Sequence, residues 1–263
     1  MLSYQHAYHA GNAADLHKHG ALAALLALLT RKPRGVSYLE SHAGRALYDL
    51  ESVEARKTGE AAFGIALATP AGPFDAALAT VRAAHGLAAY PGSPLLARCL
   101  LRPQDRLILC ELHPGEHEAL RAAMAADGPP VAIHRRDGHE GLLALVPPKP
   151  RRGLALIDPS YEVKDEYART AATAEAVFGR WPEGTVMVWY PVLAAGRHRD
   201  LVARIRASGA PLLADERAIL AAPPNAMQGT GLLVLNPPHG TNAAISAALA
   251  PLGALLGPPS ASR

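Results

Sequence analysis

The residues best suited to chemistry lie in the run Ile157-Asp158-Pro159-Ser160-Tyr161. The Asp158 carboxylate and the Pro159 carbonyl can each accept one N–H, and the Tyr161 ring can stack on a flat face. That set suits an amino-bearing base held for chemistry on its amino group. Read alone, the same residues also make an ordinary strand-ending turn. The run follows the apolar Gly153-Leu154-Ala155-Leu156, so it reads as a buried strand opening into a loop, with Asp158 at a solvent-facing strand end.

The scaffold follows from the order of apolar runs. A helix starts at Asn12 or Asp15 and runs to about Thr30, where Pro33 and Gly35 end it. Strands are expected at 36–40, 107–110, 130–133, 154–157, 185–190, 211–213 and 232–235. Helical patterns at 116–126, 166–178 and 195–207 separate most of them. Strand alternating with helix implies a mainly parallel sheet. The last two strands lack a clear helix between them, so the seventh is expected to return antiparallel. The expected fold is α/β, a Rossmann-like, mainly parallel seven-stranded sheet whose extra strand marks the methyltransferase variant of the doubly wound fold.

One connection is too long for a single crossover. The excess, Ala-rich with breaks at Gly72-Pro73 and Pro91-Gly92, is expected to form a helical subdomain over 50–89, inserted after the first strand. Residues 1–49 then supply an arm, the first helix and the first strand. Residues 90–256 complete the main domain, and the Pro- and Ser-rich 257–263 form a flexible tail.

Composition sets limits. The chain has 263 residues, 49% hydrophobic and 19% charged, as in an ordinary globular protein. The longest apolar stretch, 20–29, is too short to span a bilayer and lies too far in to be a signal peptide, so no membrane partner is expected. Cys99 and Cys110 lie in apolar runs and read as reduced core residues, which points to the cytoplasm. A net charge of +3 is too small to prove nucleic-acid binding.

In doubly wound sheets the ligand lies beyond the carboxyl ends of the strands. There the sequence places His42-Ala43-Gly44, then Glu111, then Asp137-Gly138, then Asp158. Glu111 is placed to bridge ribose hydroxyls, and Asp137 to accept from an adenine amino group. No GxGxxG or GxxxxGK[ST] phosphate clamp is present, so a nucleoside ligand without phosphate fits: S-adenosylmethionine. Lys18 reads either as a donor to its methionine carboxylate or as a solvated helix residue. His6, His9, His17 and His19 raise the option of a metal site. His17 and His19 face apart on a helix and the cysteines supply no metal signature, so no metal is expected.

Ten stretches together resemble a known family: Met1-Leu2-Ser3-Tyr4-Gln5-His6, His9-Ala10-Gly11-Asn12-Ala13-Ala14-Asp15, Lys18-His19, His42-Ala43-Gly44, Tyr90-Pro91-Gly92-Ser93-Pro94, Glu111-Leu112-His113-Pro114, Asp137-Gly138, Ile157 to Glu162, Trp189-Tyr190-Pro191 and Asn236-Pro237-Pro238. Their order and spacing resemble the bacterial 23S rRNA adenine-N6 methyltransferases of the J type, which modify adenine 2030. The resemblance implies that Lys18, His19, His42, Ser93, Glu111, Asp137, Gly138 and Asp158 line the S-adenosylmethionine site. It implies that Asp158 is the proton acceptor, that Tyr4 and His6 touch the RNA, and that the partner is 23S rRNA. With the residue reading above, Pro159 and Tyr161 hold the adenine; a monomer is expected.

Two positions depart from the family pattern. The loop that often reads His-Ala-Gly-Ala-Gly-Arg-Tyr is here His42-Ala43-Gly44-Arg45-Ala46-Leu47-Tyr48, so the cofactor loop is expected to shift slightly. The usual Asp-Pro-Pro-Tyr carries Ser160 as its third residue, which gives up one fixed φ. A DNA adenine methyltransferase would share the loop but need a sequence-reading domain, for which little length remains. A non-catalytic RNA-binding protein on the same scaffold would need none of the three carboxylates.

Overall fold

The computed structural model describes residues 5–125, 128–221 and 227–260. Its first long element, α1 (Ala13–Thr30), is capped by Asn12, whose side chain accepts the Asp15 N–H at 2.9 Å. Every α1 residue except Ala27 and Thr30 is buried. A helix apolar on nearly all sides belongs in the interior. Its polar residues Asp15, His17, Lys18 and His19 are buried with it and therefore need partners.

The chain then forms β1 (Ser37–Glu40), β2 (Leu47–Asp49), β3 (Ala89–Pro91), β4 (Arg106–Cys110), β5 (Val131–His134), β6 (Gly153–Ile157), β7 (Thr185–Val192), β8 (Leu212–Ile219), β9 (Gly229–Leu235) and β10 (Leu256–Pro259). The main sheet runs β10-β8-β9-β7-β6-β1-β4-β5. From β5 to β7 the pairs are parallel, with Leu39 of β1 beside Ile108 of β4 and Ala155 of β6. β9 is antiparallel to both β7 and β8, which gives the returning seventh strand expected from the sequence.

The central strands are buried on both faces, so they read as unbroken apolar runs. Tyr38, Leu107, Leu109, Leu154 and Leu156 pack toward α1, α4 (Ser93–Leu100), α5 (Pro114–Ala123) and α9 (Thr241–Leu249). Leu39, Ile108, Ala155 and Ile157 pack toward α6 (Gly138–Leu145), α7 (Glu166–Arg180) and α8 (His198–Ala207).

β2 and β3 pair apart from the main sheet. Between them lie α2 (Val53–Thr58), a 3-10 turn Glu60–Phe63 and α3 (Pro73–His85). This segment clasps the start of the chain. Ile65 N–H donates to the Gly11 carbonyl at 2.8 Å, and Glu60 bonds both His9 Nδ1 and Asn12 Nδ2 at 2.8 Å. Only glycine fits at Gly64, because a Cβ there would stand 2.0 Å from the Gly11 oxygen.

Three expectations need correction. Among the described residues the sheet has eight strands rather than seven. The eighth, β10, occupies Leu256–Pro259, where a frayed tail was expected from residue 257. Buried Leu255 and Leu256 anchor it, and the Ser260 N–H donates to the Glu216 carbonyl at 2.8 Å, so apolar contact and edge pairing outweigh the Pro-rich composition. Cys99 is exposed rather than in the core, because it lies on the outer side of amphipathic α4; Cys110 is buried in β4.

Candidate active site

A cavity of about 580 Å³ opens at the carboxyl ends of β1, β4, β5 and β6. Its charge is lopsided: eight Asp and Glu residues line it, against Lys18 and Arg169. Such walls attract a cationic ligand and repel phosphate. Among the described residues no group of three or more His, Cys, Asp or Glu is placed to hold a metal ion.

Lys18 and Asp158 meet at the heart of this cavity. Lys18 Nζ donates to Asp158 Oδ2 at 2.6 Å and stands 3.1 Å from Asp15 Oδ1. Asp15, 2% exposed, also accepts from the Gly11 N–H and contacts His6 Nε2, each at 2.9 Å. Burial alone would raise the Asp15 carboxyl, but its interactions with His6 and Lys18 outweigh it and hold it well below the ordinary value. Lys18 is therefore not a solvated helix residue but the link between two carboxylates. Asp158 is not at an open strand end either, since its side chain is 12% exposed. Its Oδ1 makes no hydrogen bond among the described residues, so one acceptor on the cavity wall remains available.

The loop after β6 is held open by its last residue. Tyr161 adopts φ +56° although it is not glycine, and its hydroxyl donates to the Trp189 carbonyl at 2.6 Å. Its ring packs on Tyr167 with centroids 4.5 Å apart. Left-handed backbone at a bulky residue persists only where surroundings enforce it, and it often marks a working site. Ser160 bonds Glu166 at 3.3 Å through its hydroxyl, a tie to α7 that proline would not make. Pro159, Ser160, Tyr161, Trp189 and Pro191 all line the cavity.

The side of the cavity away from Lys18 is built from strand ends. Glu111 follows β4, and its two oxygens accept the His113 and Gly44 N–H groups at 2.7 and 2.8 Å. Burial raises its carboxyl above the ordinary value. Asp137 caps α6 through the Glu140 N–H at 3.1 Å and pairs with Arg169 at 2.7 Å. At Gly138 a Cβ would lie 1.9 Å from the Ser41 oxygen, so the backbone approach requires glycine. His42 hydrogen-bonds Ser41 Oγ at 2.7 Å, and burial pushes its imidazole down to about 3, leaving it neutral.

The Gly44 to Tyr48 loop turns through left-handed backbone at two residues. Gly44 has φ +60°, and Ala46, in place of the family's second glycine, has φ +64°. Alanine thus takes a glycine conformation, at a cost of about 1–2 kcal/mol.

Two buried polar groups bear on what the cavity holds. The Tyr90 hydroxyl lies 2.9 Å from His19 Nδ1, and burial pushes the His19 imidazole down to about 3. With Tyr90 donating, the ring proton sits on Nε2, which is buried without a partner among the described residues. Ser93 Oγ donates to Glu40, which also accepts the Tyr38 hydroxyl at 2.8 Å. Burial pushes the Glu40 carboxyl up to about 8.

The structure thus brings His6, Lys18, His19, His42, Ser93, Glu111, Asp137, Gly138, Asp158, Pro159 and Tyr161 to one cavity. Tyr4 lies outside the described residues. Sequence reasoning missed Asp15, Glu40 and Trp189. Acidic residues beside Lys18 and at the end of β1 were the available signals. His17 was rightly separated from His19, since it turns away to Asp215 and Thr230, each at 3.1 Å.

Comparison with known proteins gives an independent view. A model of the family described as Ribosomal RNA large subunit methyltransferase D, RlmJ, matches residues 33–263. The chain is 37% identical over 247 residues to Ribosomal RNA large subunit methyltransferase J of Escherichia coli (strain K12), covering 90% of this chain and 88% of that protein. It is 38% identical over 248 residues to the protein of that name from Haemophilus influenzae, with the same coverage. A crystal structure from Legionella pneumophila superposes with a TM-score of 0.82 at 34% identity, over 95% of both chains. A SAM-dependent methyltransferase from Agrobacterium tumefaciens, at 9% identity and a TM-score of 0.50 over 83% of this chain and 61% of that one, shares the fold alone.

Proposed function

The chain belongs to the RlmJ family of ribosomal RNA large subunit methyltransferases, and on that premise we propose that it transfers a methyl group from S-adenosylmethionine to the N6 amino group of one adenine of 23S rRNA, position 2030 by resemblance, in the cytoplasm. The observation that carries this reading is the Lys18–Asp158 pair at 2.6 Å on the wall of an acidic cavity, beside a rigid Pro159-Ser160-Tyr161 loop.

The residues present fit the cofactor. Its sulfonium and amino charges suit walls with eight carboxylates, and it brings no phosphate to be repelled. His19 Nε2, without a partner among the described residues, supplies a donor for a carboxylate, and Ser93 and His42 also line the cavity. Glu111, already oriented by two backbone N–H groups, keeps lone pairs for ribose hydroxyls. Gly138 lets the start of α6 pack against the Ser41 backbone, and Asp137 beside it is the acceptor for the cofactor's adenine amino group. When bound, S-adenosylmethionine supplies an electrophilic methyl group.

The work of this chain's own residues is positioning and electrostatics. An adenine amino nitrogen is a poor nucleophile, because its lone pair is delocalised into the ring. Hydrogen bonds from N6 to Asp158 Oδ1 and to the Pro159 carbonyl favour a pyramidal nitrogen. Lys18 fixes the carboxylate by binding its other oxygen. As positive charge grows on N6, Asp158 stabilises it and accepts the proton that is released. Tyr161 and Trp189 give the base an aromatic wall, and the base leaves its stack to reach it. Tyr4 and His6 act on the RNA side, ahead of residues 9–12, which the 50–89 segment clasps.

The test is methyl transfer from labelled cofactor to unmodified 23S rRNA by the purified protein. Label in N6-methyladenine at a single site is expected. Label in another nucleoside, or none, would overturn the reading.

A further inference from the structure

A cavity with eight carboxylates against two cations takes a base but repels the phosphates on either side of it. An RNA strand bent into such a site needs its phosphates neutralised just outside. A second cleft, of about 250 Å³, lies between the first two turns of α7 and α8, with Lys164, just ahead of α7, on its wall. Both helices follow parallel strands, so both begin at the carboxyl edge of the sheet where the cavity opens.

The cleft differs in charge from its neighbour. Lys164, Arg197 and Arg204 line it, against Asp200. Arg204 is committed to Glu175 by contacts of 2.7 to 3.1 Å. Lys164 and Arg197 are exposed and make no ion pair among the described residues. Between them Tyr167, 5% exposed overall, also lines the cleft, and its hydroxyl has no hydrogen-bond partner among the described residues. The helix dipoles of α7 and α8 add positive potential at the same place. Tyr167 also connects the cleft to the reaction, since its ring packs on Tyr161 at 4.5 Å.

We propose that this cleft binds a backbone phosphate of the RNA strand next to the target adenine, with Lys164 and Arg197 as its charged ligands and the Tyr167 hydroxyl as a donor. The inference rests on the RNA-methyltransferase reading above and adds a subsite to it. Neutralising the phosphate here anchors the strand while the base swings into the acidic cavity. The contact carries no sequence information; it sets register and affinity.

The experiment measures binding of an unmodified 23S rRNA fragment across a salt series, for the parent and for Lys164→Ala, Arg197→Ala and Tyr167→Phe. Each lost phosphate contact should weaken binding roughly three- to ten-fold and lower the slope of log K against log salt by about 1. Lys164→Ala and Arg197→Ala should each do so. Tyr167→Phe should weaken binding less and leave the slope alone. The melting shift given by S-adenosylmethionine should stay at the parental value in all three, which excludes damage to the fold. Parental RNA binding with unchanged slopes in both charge variants overturns the subsite while leaving the methyltransferase reading intact. Failure of the parent to bind or methylate the RNA overturns both.

Discussion

Replacing Lys18 with methionine keeps most of the side-chain volume and removes the charge. Lys18 is 5% exposed, with Asp158 Oδ2 at 2.6 Å and Asp15 Oδ1 at 3.1 Å. At an effective dielectric of about 20, those distances give attractions of about 6 and 5 kcal/mol before desolvation is counted. Removing one member of a buried ionic cluster leaves the others uncompensated, at a net cost of about 3–5 kcal/mol. For a chain of this length that lowers Tm by roughly 6–20 °C. Thermal unfolding reads the stability, and turnover on unmodified 23S rRNA, measured well below Tm, reads the chemistry. Asp15→Asn added to Lys18→Met should recover part of the stability, because it removes one stranded carboxylate, and the two changes should couple by about 0.5–3 kcal/mol. It should not recover turnover, because Asp158 still lacks its anchor. A Lys18→Met protein with parental Tm and near-parental turnover would refute the argument that this ammonium organises the site.

Glu111→Ala should shrink the melting shift produced by S-adenosylmethionine, since ligand stabilisation tracks affinity for the native state; equal shifts in variant and parent would remove Glu111 from the cofactor site. Glu40, whose carboxyl rises from 4.5 to about 8 on burial, holds its proton more tightly when folded. Its contribution is therefore complete below pH 4.5 and is lost as pH rises toward 8, by at most about 1.4 kcal/mol per unit. Glu40→Gln should flatten the fall in Tm across that window, and an unchanged pH profile would contradict the assignment. Ala46→Gly should raise Tm by about 2–4 °C by relieving about 1 kcal/mol of left-handed strain; a lower Tm would show that alanine is relaxed at that φ.

What the sequence made legible was local. An apolar run ending in a carboxylate is a strand delivering a polar group to the sheet edge, so Glu111 and Asp158 were readable one strand at a time. The seventh strand was readable because the sequence shows no clear helical pattern between β8 and β9. Partnerships across the fold were hidden: Lys18 and Asp158 stand 140 residues apart, and α1 shows no polar face from which Lys18's burial could be judged. Glu40 was passed over because a strand-end glutamate looks solvated until Ser93 and Tyr38 are seen to enclose it. The tail misled by composition, since prolines suggest fraying while Leu255 and Leu256 supply the burial that orders β10. Lys164 and Arg197 carried no motif, and only the side-by-side starts of α7 and α8 bring them to one cleft.

The central claim, that Asp158 acts on an adenine of 23S rRNA, is tested most directly by mass spectrometry of 23S rRNA from a strain lacking this gene. The strain would be complemented with either the parent or Asp158→Asn, expressed at equal levels. Loss of one N6-methyladenine in the deletion strain is predicted, with restoration by the parent and not by Asp158→Asn, which keeps the shape of the side chain but not its negative charge. Unchanged 23S rRNA methylation in the deletion strain, or full restoration by Asp158→Asn, would contradict it.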